Sequence, residues 1–430
     1  MIANQPPHFT QLSSVAAQSS VAAQSSVAAQ ASVAAQASMA VQTSIAAQAS
    51  ALMKITARPA AVMARGAGSY LWDERDNRYL DFIQGWAVNS LGHAPAEITA
   101  ALAAQSELLI TPSPALHNRP QFELARLLTQ GTPFAQAHFT NSGAEANEAA
   151  VKLARKWGQL NKPGATTIIT THGAFHGRTL AMMSASGKPG WGQMYPPMPE
   201  GFRHVPFGDI DAIAAAIDDS TLAVMLEPIQ GEAGVMVPPP GYLRELREIT
   251  RAHNVLLILD EVQTGIGRTG KLYAHEHDSI APDIMTLGKG IGGGVPLAAV
   301  LATDASCCFE YGNQGGTYNG NPLMTAVGIS VVQTVSAPAF LAQICTSEIQ
   351  MRTGLREVSA EFGLGEVRGQ GLLYALELPV GNATSVCERA FDLGLLINPA
   401  RPDALRFMPS LRVSPAEIRE MLELLRASLS

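Results

Sequence analysis

From about residue 120 the chain alternates two apolar periods. Gln121–Leu128 and Ala144–Trp157 space their apolar residues along one helical face, and Leu243–Ile249 does so again. Thr166–Thr170, Leu222–Leu226 and Val255–Leu259 are short apolar runs of the kind that form buried strands. Helix-period and strand-period segments in alternation predict an α/β fold around a mostly parallel sheet, with ligands at the carboxyl ends of the strands. Upstream, Tyr70–Asp73 and Tyr79–Phe82 read as strands on either side of the turn signal Arg75-Asp76-Asn77. After about residue 325 the order is helix, the strand Leu372–Leu378, the apolar run Leu395–Ile397 and a last helix from Pro415 to about Ala427. This predicts a large domain over 111–325 and a smaller α+β domain over 326–430, with 54–110 contributing to the smaller one.

Residues 1–53 differ in kind. A hexapeptide close to Ser-Val-Ala-Ala-Gln-Ser/Ala recurs six times from Ser14 to Ala49, and no charged residue precedes Lys54. One larger apolar residue per repeat is too little to hold a helix against a core, so a low-complexity, disordered extension without part in the chemistry is expected. It has neither the basic start and sustained apolar stretch of a signal peptide nor the arginines of a transit peptide. A net charge of -7 with 15% charged residues leaves no basic footprint for nucleic acid. No apolar run reaches the roughly eighteen residues that span a bilayer, so no membrane partner is expected. Cys307, Cys308, Cys345 and Cys387 lack metal-ligand spacing, and reduced thiols of a cytoplasmic enzyme are the expectation.

Candidate chemistry gathers at strand ends. Lys289 follows the apolar Ile284-Met285 and enters the glycine-rich Gly288–Gly294, where a lysine can reach a ligand carbonyl and form a Schiff base. By itself such a lysine is equally at home on a surface. About thirty residues earlier, Val255–Leu259 runs into Asp260-Glu261, an acid at the end of a buried strand. A lysine for an aldehyde and an acid for a pyridinium nitrogen are the protein half of pyridoxal phosphate chemistry. Ser142-Gly143-Ala144 opens a helix, where free backbone N–H groups suit a phosphate, although Ser-Gly there also serves as a plain cap. In Thr171–Thr179, Phe175 has the shape to stack on a flat cofactor and Arg178 to fork onto a carboxylate. His172 and His176 are four apart but separated by Gly173, and lack a third metal ligand. Gly265–Gly270 fits the dinucleotide fingerprint G-x-G-x-x-G, the basis of a rival dehydrogenase reading. It is set back from the strand by Asp260–Gln263 and does not clearly open a helix.

Together, Asn141–Asn147, Phe175–Thr179, Glu227–Glu232, Asp260–Gln263 with the following glycines, Lys289, and Gly316–Pro322 resemble the class III aminotransferases. These are fold type I pyridoxal phosphate enzymes, and the similarity is greatest to the acetylornithine and succinyldiaminopimelate branch. The resemblance covers the chain from about residue 54. It implies that Lys289 holds the cofactor and carries the substrate proton, and that Asp260 keeps the pyridine nitrogen protonated. Val262 would pack beneath the ring, Phe175 above it, and Gln263 would bond the phenolic oxygen. Ser142, Gly143 and Ala144 would take the phosphate, with Thr317 reaching it from the partner of a homodimer. Arg178 would hold a substrate carboxylate, and Glu232 would mask Arg406 for the amine donor and free it for 2-oxoglutarate. Gly316 stands where serine is common, and Leu116-His117 where aromatic residues are. The activity implied is transfer of the ω-amino group of N2-acetyl-L-ornithine to 2-oxoglutarate in arginine biosynthesis, giving N-acetyl-L-glutamate 5-semialdehyde and L-glutamate. Succinyldiaminopimelate or ornithine transamination, and a non-catalytic binder of the same fold, are the alternatives.

Overall fold

A computed structural model of the protein describes residues 49–430. The repeats, where the sequence predicts disorder, lie outside the described residues up to position 48. The described residues fall into two compact units: 49–64 with Asp73–Asp76, and 65–72 with 77–430. In the described part of the smaller unit, Ala49–Ala51 make one 3₁₀ turn and the Glu74 N–H donates to the Val62 carbonyl at 2.9 Å.

The larger unit is built on a seven-stranded sheet. Its order is Gln136–Thr140, Ala298–Ala302, Ile284–Leu287, Leu256–Asp260, Thr221–Leu226, Thr167–Thr171 and Phe202–Val205. Only Ala298–Ala302 runs against its neighbours. Thr221–Leu226 and Leu256–Asp260 are buried throughout, which is why they read as unbroken apolar runs rather than alternating ones. Helices Gly143–Asn161 and Tyr242–Ala252 cover the sheet through residues such as Val151, Trp157, Leu243 and Leu246. Fully burying each larger apolar side chain of this kind contributes about 1.5–3 kcal/mol.

Ala298–Ala302 was not legible as a strand. Alanine favours helix, but the run is buried between two strands and pairs with both, so its context overrides its propensity. Phe202–Val205 is half polar because it lies at the sheet edge.

A second, antiparallel sheet orders Val367–Gln370, Leu373–Glu377, Ala404–Phe407 and Asn398–Arg401. Helices Pro338–Phe362 and Pro415–Leu429 pack with it around Leu355, Leu376, Phe407 and Leu425. Leu395 pairs in parallel with Leu80 of the early strand Arg78–Asp81. Among the described residues no single helix is long and apolar enough to cross a membrane.

Candidate active site

Four neighbouring parallel strands deliver chemistry at their carboxyl ends. Thr167–Thr171 leads to Phe175, His176 and Arg178; Thr221–Leu226 leads to Glu227 and Glu232; Leu256–Asp260 ends on Asp260; and Ile284–Leu287 leads to Lys289. The sheet register thus assembles residues more than a hundred positions apart.

Asp260 is buried and surrounded by donors. Its Oδ2 accepts from Asn147 Nδ2 at 2.7 Å and lies 2.8 Å from His176 Nδ1. Its Oδ1 accepts from the Val262 N–H at 3.0 Å and the Thr286 hydroxyl at 3.4 Å. The Thr286 hydroxyl also donates to Asn147 Oδ1 at 2.7 Å, so the amide orientation is set by the strand beside Asp260. His176 is fully enclosed, and its Nε2 has no hydrogen-bond partner. His172 turns elsewhere, with its ring 5.8 Å from that of His204.

The start of helix Gly143–Asn161 is a capping box. The Ser142 Oγ accepts from the Glu145 N–H at 3.2 Å, and Glu145 Oε2 accepts from the Ser142 N–H at 3.2 Å. This occupies the first and fourth amides and leaves those of Gly143 and Ala144 as the helix's open donors. Gly143 has no room for a side chain: a Cβ there would fall 2.7 Å from Val262 Cγ1, and one at Gly288 would fall 3.0 Å from the same methyl. Val262 is thereby wedged between the helix start and the turn carrying Lys289. Gly177, at φ +140°, sits where a Cβ would fall 2.7 Å from the Ala144 Cβ, so the Phe175–Arg178 turn presses on the same helix start.

Lys289 opens a short 3₁₀ turn at φ +44°, a left-handed conformation that costs a non-glycine residue roughly 1–2 kcal/mol. Burial holds its ammonium below the ordinary lysine range, against the pull of Glu232, Glu227 and Asp260. Glu227, part of a matching stretch but given no role by the sequence, accepts from the Phe175 N–H at 2.9 Å and the Gly231 N–H at 3.4 Å. Burial first, and then the Asp260 charge, push its carboxyl up to about 7. Gln263 is buried with both carboxamide atoms unpartnered.

Glu232 Oε1 accepts from Arg406 Nη2 at 2.8 Å, and Arg406 is 1% exposed on the interior strand of the second sheet. Burial opposes ionisation of Glu232, but Arg406, Lys188 and Lys289 outweigh it and hold the carboxyl below its ordinary range. Arg178 is exposed, with its guanidinium 5.8 Å from the Phe175 ring centre and 5.5 Å from that of Trp191. Thr317 and Gly316 are exposed; a Cβ on Gly316 would fall 2.6 Å from Asn319 Nδ2, and Asn319 Oδ1 accepts from Asn141 at 2.9 Å. Close packing and hydrogen bonds thus join Asp260, Val262, the helix start and the turn before Lys289, while Glu232 pairs with Arg406 and Thr317 and Gly316 lie exposed.

The Gly265–Gly270 run does not open a helix. It is a buried loop, pinned where Arg268 Nη1 donates to the carbonyls of Leu372 at 3.0 Å and Pro409 at 2.6 Å. Its glycines serve packing rather than a phosphate.

The comparisons with known proteins agree in kind. A family model described as "Aminotransferase class-III" matches residues 53–429. Acetylornithine aminotransferase 2 of Bordetella bronchiseptica is 53% identical over 377 residues, covering 87% of this chain and 95% of that protein. Acetylornithine aminotransferase of Ralstonia nicotianae is 52% identical over 386 residues, covering 88% and 97%. Among solved structures, ornithine aminotransferase from Toxoplasma gondii ME49 superposes at a TM-score of 0.87 with 32% identity, covering 90% of this chain and 94% of that one. N-acetylornithine aminotransferase from Stenotrophomonas maltophilia K279a superposes at 0.77 with 35% identity, covering 89% and 98%. Sequence, fold and strand-end chemistry converge, and the chain belongs to the class-III aminotransferases.

Proposed function

We propose that this enzyme moves the ω-amino group of N2-acetyl-L-ornithine to 2-oxoglutarate, giving N-acetyl-L-glutamate 5-semialdehyde and L-glutamate, with pyridoxal 5'-phosphate as cofactor. The identity above one half to relatives named acetylornithine aminotransferase carries the substrate. The joining of Lys289 and Asp260 by adjacent strand ends supports the chemistry. Ornithine is the second reading, favoured by the fold likeness to the Toxoplasma enzyme.

The residues present fit the cofactor. The open amides of Gly143 and Ala144 suit its phosphate, and the unpartnered Gln263 carboxamide suits its phenolic oxygen. Half-buried Val262 and Phe175 would pack against its ring, and the Asp260 carboxylate suits a protonated ring nitrogen. When bound, the cofactor supplies an aldehyde and an electron-accepting ring. Lys289 would hold it, and its Nζ would then be the group that takes up and delivers the substrate proton. Burial lowers its proton affinity, the direction that favours a base over a permanently charged ammonium. Asp260, fixed by Asn147, His176 and Thr286, would be the carboxylate that holds a protonated ring nitrogen. Arg178 binds a substrate carboxylate. Glu232 covers Arg406 while the amine donor is bound and uncovers it for 2-oxoglutarate.

In this reading Thr317 reaches the phosphate from the second subunit of a cytoplasmic homodimer, with Gly316 beside the substrate. Exposed Leu108, Leu109, Ile110 and Tyr318 give such a partner apolar surface to cover. Steady-state rates with acetylornithine, ornithine, succinyldiaminopimelate and 4-aminobutyrate test the substrate. Acetylornithine is expected to have the highest kcat/KM; a tenfold lead by another donor overturns the assignment.

A further inference from the structure

Glu232 stands between two cations of different character. Oε1 is 2.8 Å from Arg406 Nη2 and Oε2 is 3.6 Å from Lys188 Nζ. Arg406 is held in place: it is buried on an interior strand, its Nε donates to Asn398 Oδ1 at 3.3 Å, and its Nη1 has no hydrogen-bond partner. Lys188 is only half-buried and comes from the segment after helix Leu180–Ala185 on a flexible stem. Its ammonium lies 4.7 Å from the Phe175 ring centre and 5.3 Å from that of Trp191. Both rings favour a cation over their faces, so the lysine stays near Glu232 without needing the full ion pair. Among the described residues neither Lys188 nor Arg406 has a second carboxylate within ion-pair distance.

This arrangement has a direct electrostatic consequence. A substrate carboxylate that pairs with Arg406 competes with Glu232 for the same guanidinium. A displaced, part-buried carboxylate with no other cation would be left uncompensated, which is costly. The contact at 3.6 Å supplies the other cation on the far oxygen, reachable by a small rotation. We propose that Lys188 is the second seat of the Glu232 carboxylate, receiving it when Arg406 is released to a dicarboxylate oxo acid. Lys188 is thus a specificity-determining residue for the acceptor, acting through Glu232. The inference rests on the exchange of Arg406 between Glu232 and substrate proposed above.

Calorimetric titration with glutarate, a dicarboxylate with neither amine nor keto group, separates the possibilities in the loaded enzyme. Five proteins are needed: the natural chain, K188M, K188R, E232A and the K188M/E232A double variant. E232A, which leaves Arg406 uncovered, is expected to bind glutarate more tightly than the natural chain. K188M is expected to weaken glutarate roughly threefold to tenfold, the scale of one part-buried ion pair. K188R should restore affinity to within about twofold, because the charge is kept. In the E232A background K188M should change the dissociation constant by less than about twofold, since no carboxylate is left to receive. Equal weakening in both backgrounds shows that Lys188 touches the ligand itself and overturns the proposal. An unchanged K188M beside a tightened E232A overturns the part given to Lys188 alone. Failure of E232A to tighten glutarate removes the exchange reading and the proposal with it.

Discussion

The two ends of the site handle charge differently. At the Asp260 end, four donors converge on one carboxylate, and the amide of Asn147 is itself held by Thr286 from the next strand. At the Glu232 end one carboxylate faces two cations, one buried and one on a flexible stem, and Arg406 keeps a nitrogen without partner. The first arrangement suits a charge that never moves, because low-dielectric surroundings reward donors that are already aimed. The second suits a charge that has to change partner between two substrates. Ping-pong transamination needs both: one fixed feature shared by the half-reactions and one that differs between them.

Substitutions at the two ends should therefore differ in kind as well as size. The largest loss is expected for Lys289→Ala, which removes the proton carrier proposed for both halves; kcat should fall about 10⁴-fold, the upper range for general acid–base catalysis. Turnover near the natural rate would show that another lysine serves. Asp260→Asn keeps the size of the side chain and removes its charge, and kcat should fall about 10²–10³-fold, the range for one preorganised electrostatic group. Cofactor content, read from absorbance, should stay near full occupancy. A smaller effect, confined to one side, is expected for Glu232→Gln. Losing one charge-assisted hydrogen bond corresponds to roughly tenfold in kcat/KM for the acetylornithine side. The 2-oxoglutarate side should move less than about threefold, because the neutral carboxamide can still accept from Arg406 yet yields it without displacing a charge.

Glu227 gives a pH signature without turnover. Its carboxyl is pushed up to about 7 in the folded protein. Between its unfolded value near 4.5 and that point, the folded chain holds a proton that the unfolded chain has lost. This contribution to stability is complete below the unfolded value and declines as pH rises through the folded one. Thermal midpoints of cofactor-free protein should accordingly fall more steeply from pH 5 to pH 8 than those of Glu227→Gln. Parallel curves would mean that Glu227 stays ionised. The smallest effect is expected for deletion of residues 1–50. Segments rich in small residues bury too little area to offset about 1–2 kcal/mol of backbone ordering per residue, so kcat, KM and subunit association should stay within twofold. Loss of association on sizing would assign the repeats a structural part.

The sequence announced the Asp260 end better than its neighbourhood. An acid closing a five-residue apolar run and a lysine entering glycines are local signals, and both residues sit at strand ends as expected. The supporting residues carried no such signal. Asn147 is one polar position in a helix, and His176 invited comparison with His172 until the fold turned the two rings to different partners. Glu227 and Lys188 gain their meaning only from what the sheet brings beside them, the amide of Phe175 in one case and Glu232 in the other. For the same reason Ala298–Ala302 escaped notice: pairing on both sides, rather than composition, makes it a strand.

The contrast between the two ends is tested most directly by single-turnover absorbance of each half-reaction in Asp260→Asn and Glu232→Gln side by side. Loaded enzyme is mixed with acetylornithine in one series, and the aminated enzyme with 2-oxoglutarate in the other. Asp260→Asn should slow both halves by the same factor to within about threefold, since the fixed carboxylate serves both, whereas Glu232→Gln should slow the acetylornithine half about tenfold more than the 2-oxoglutarate half. Equal slowing of both halves by Glu232→Gln, or a one-sided effect of Asp260→Asn, would contradict the division of labour derived from these contacts.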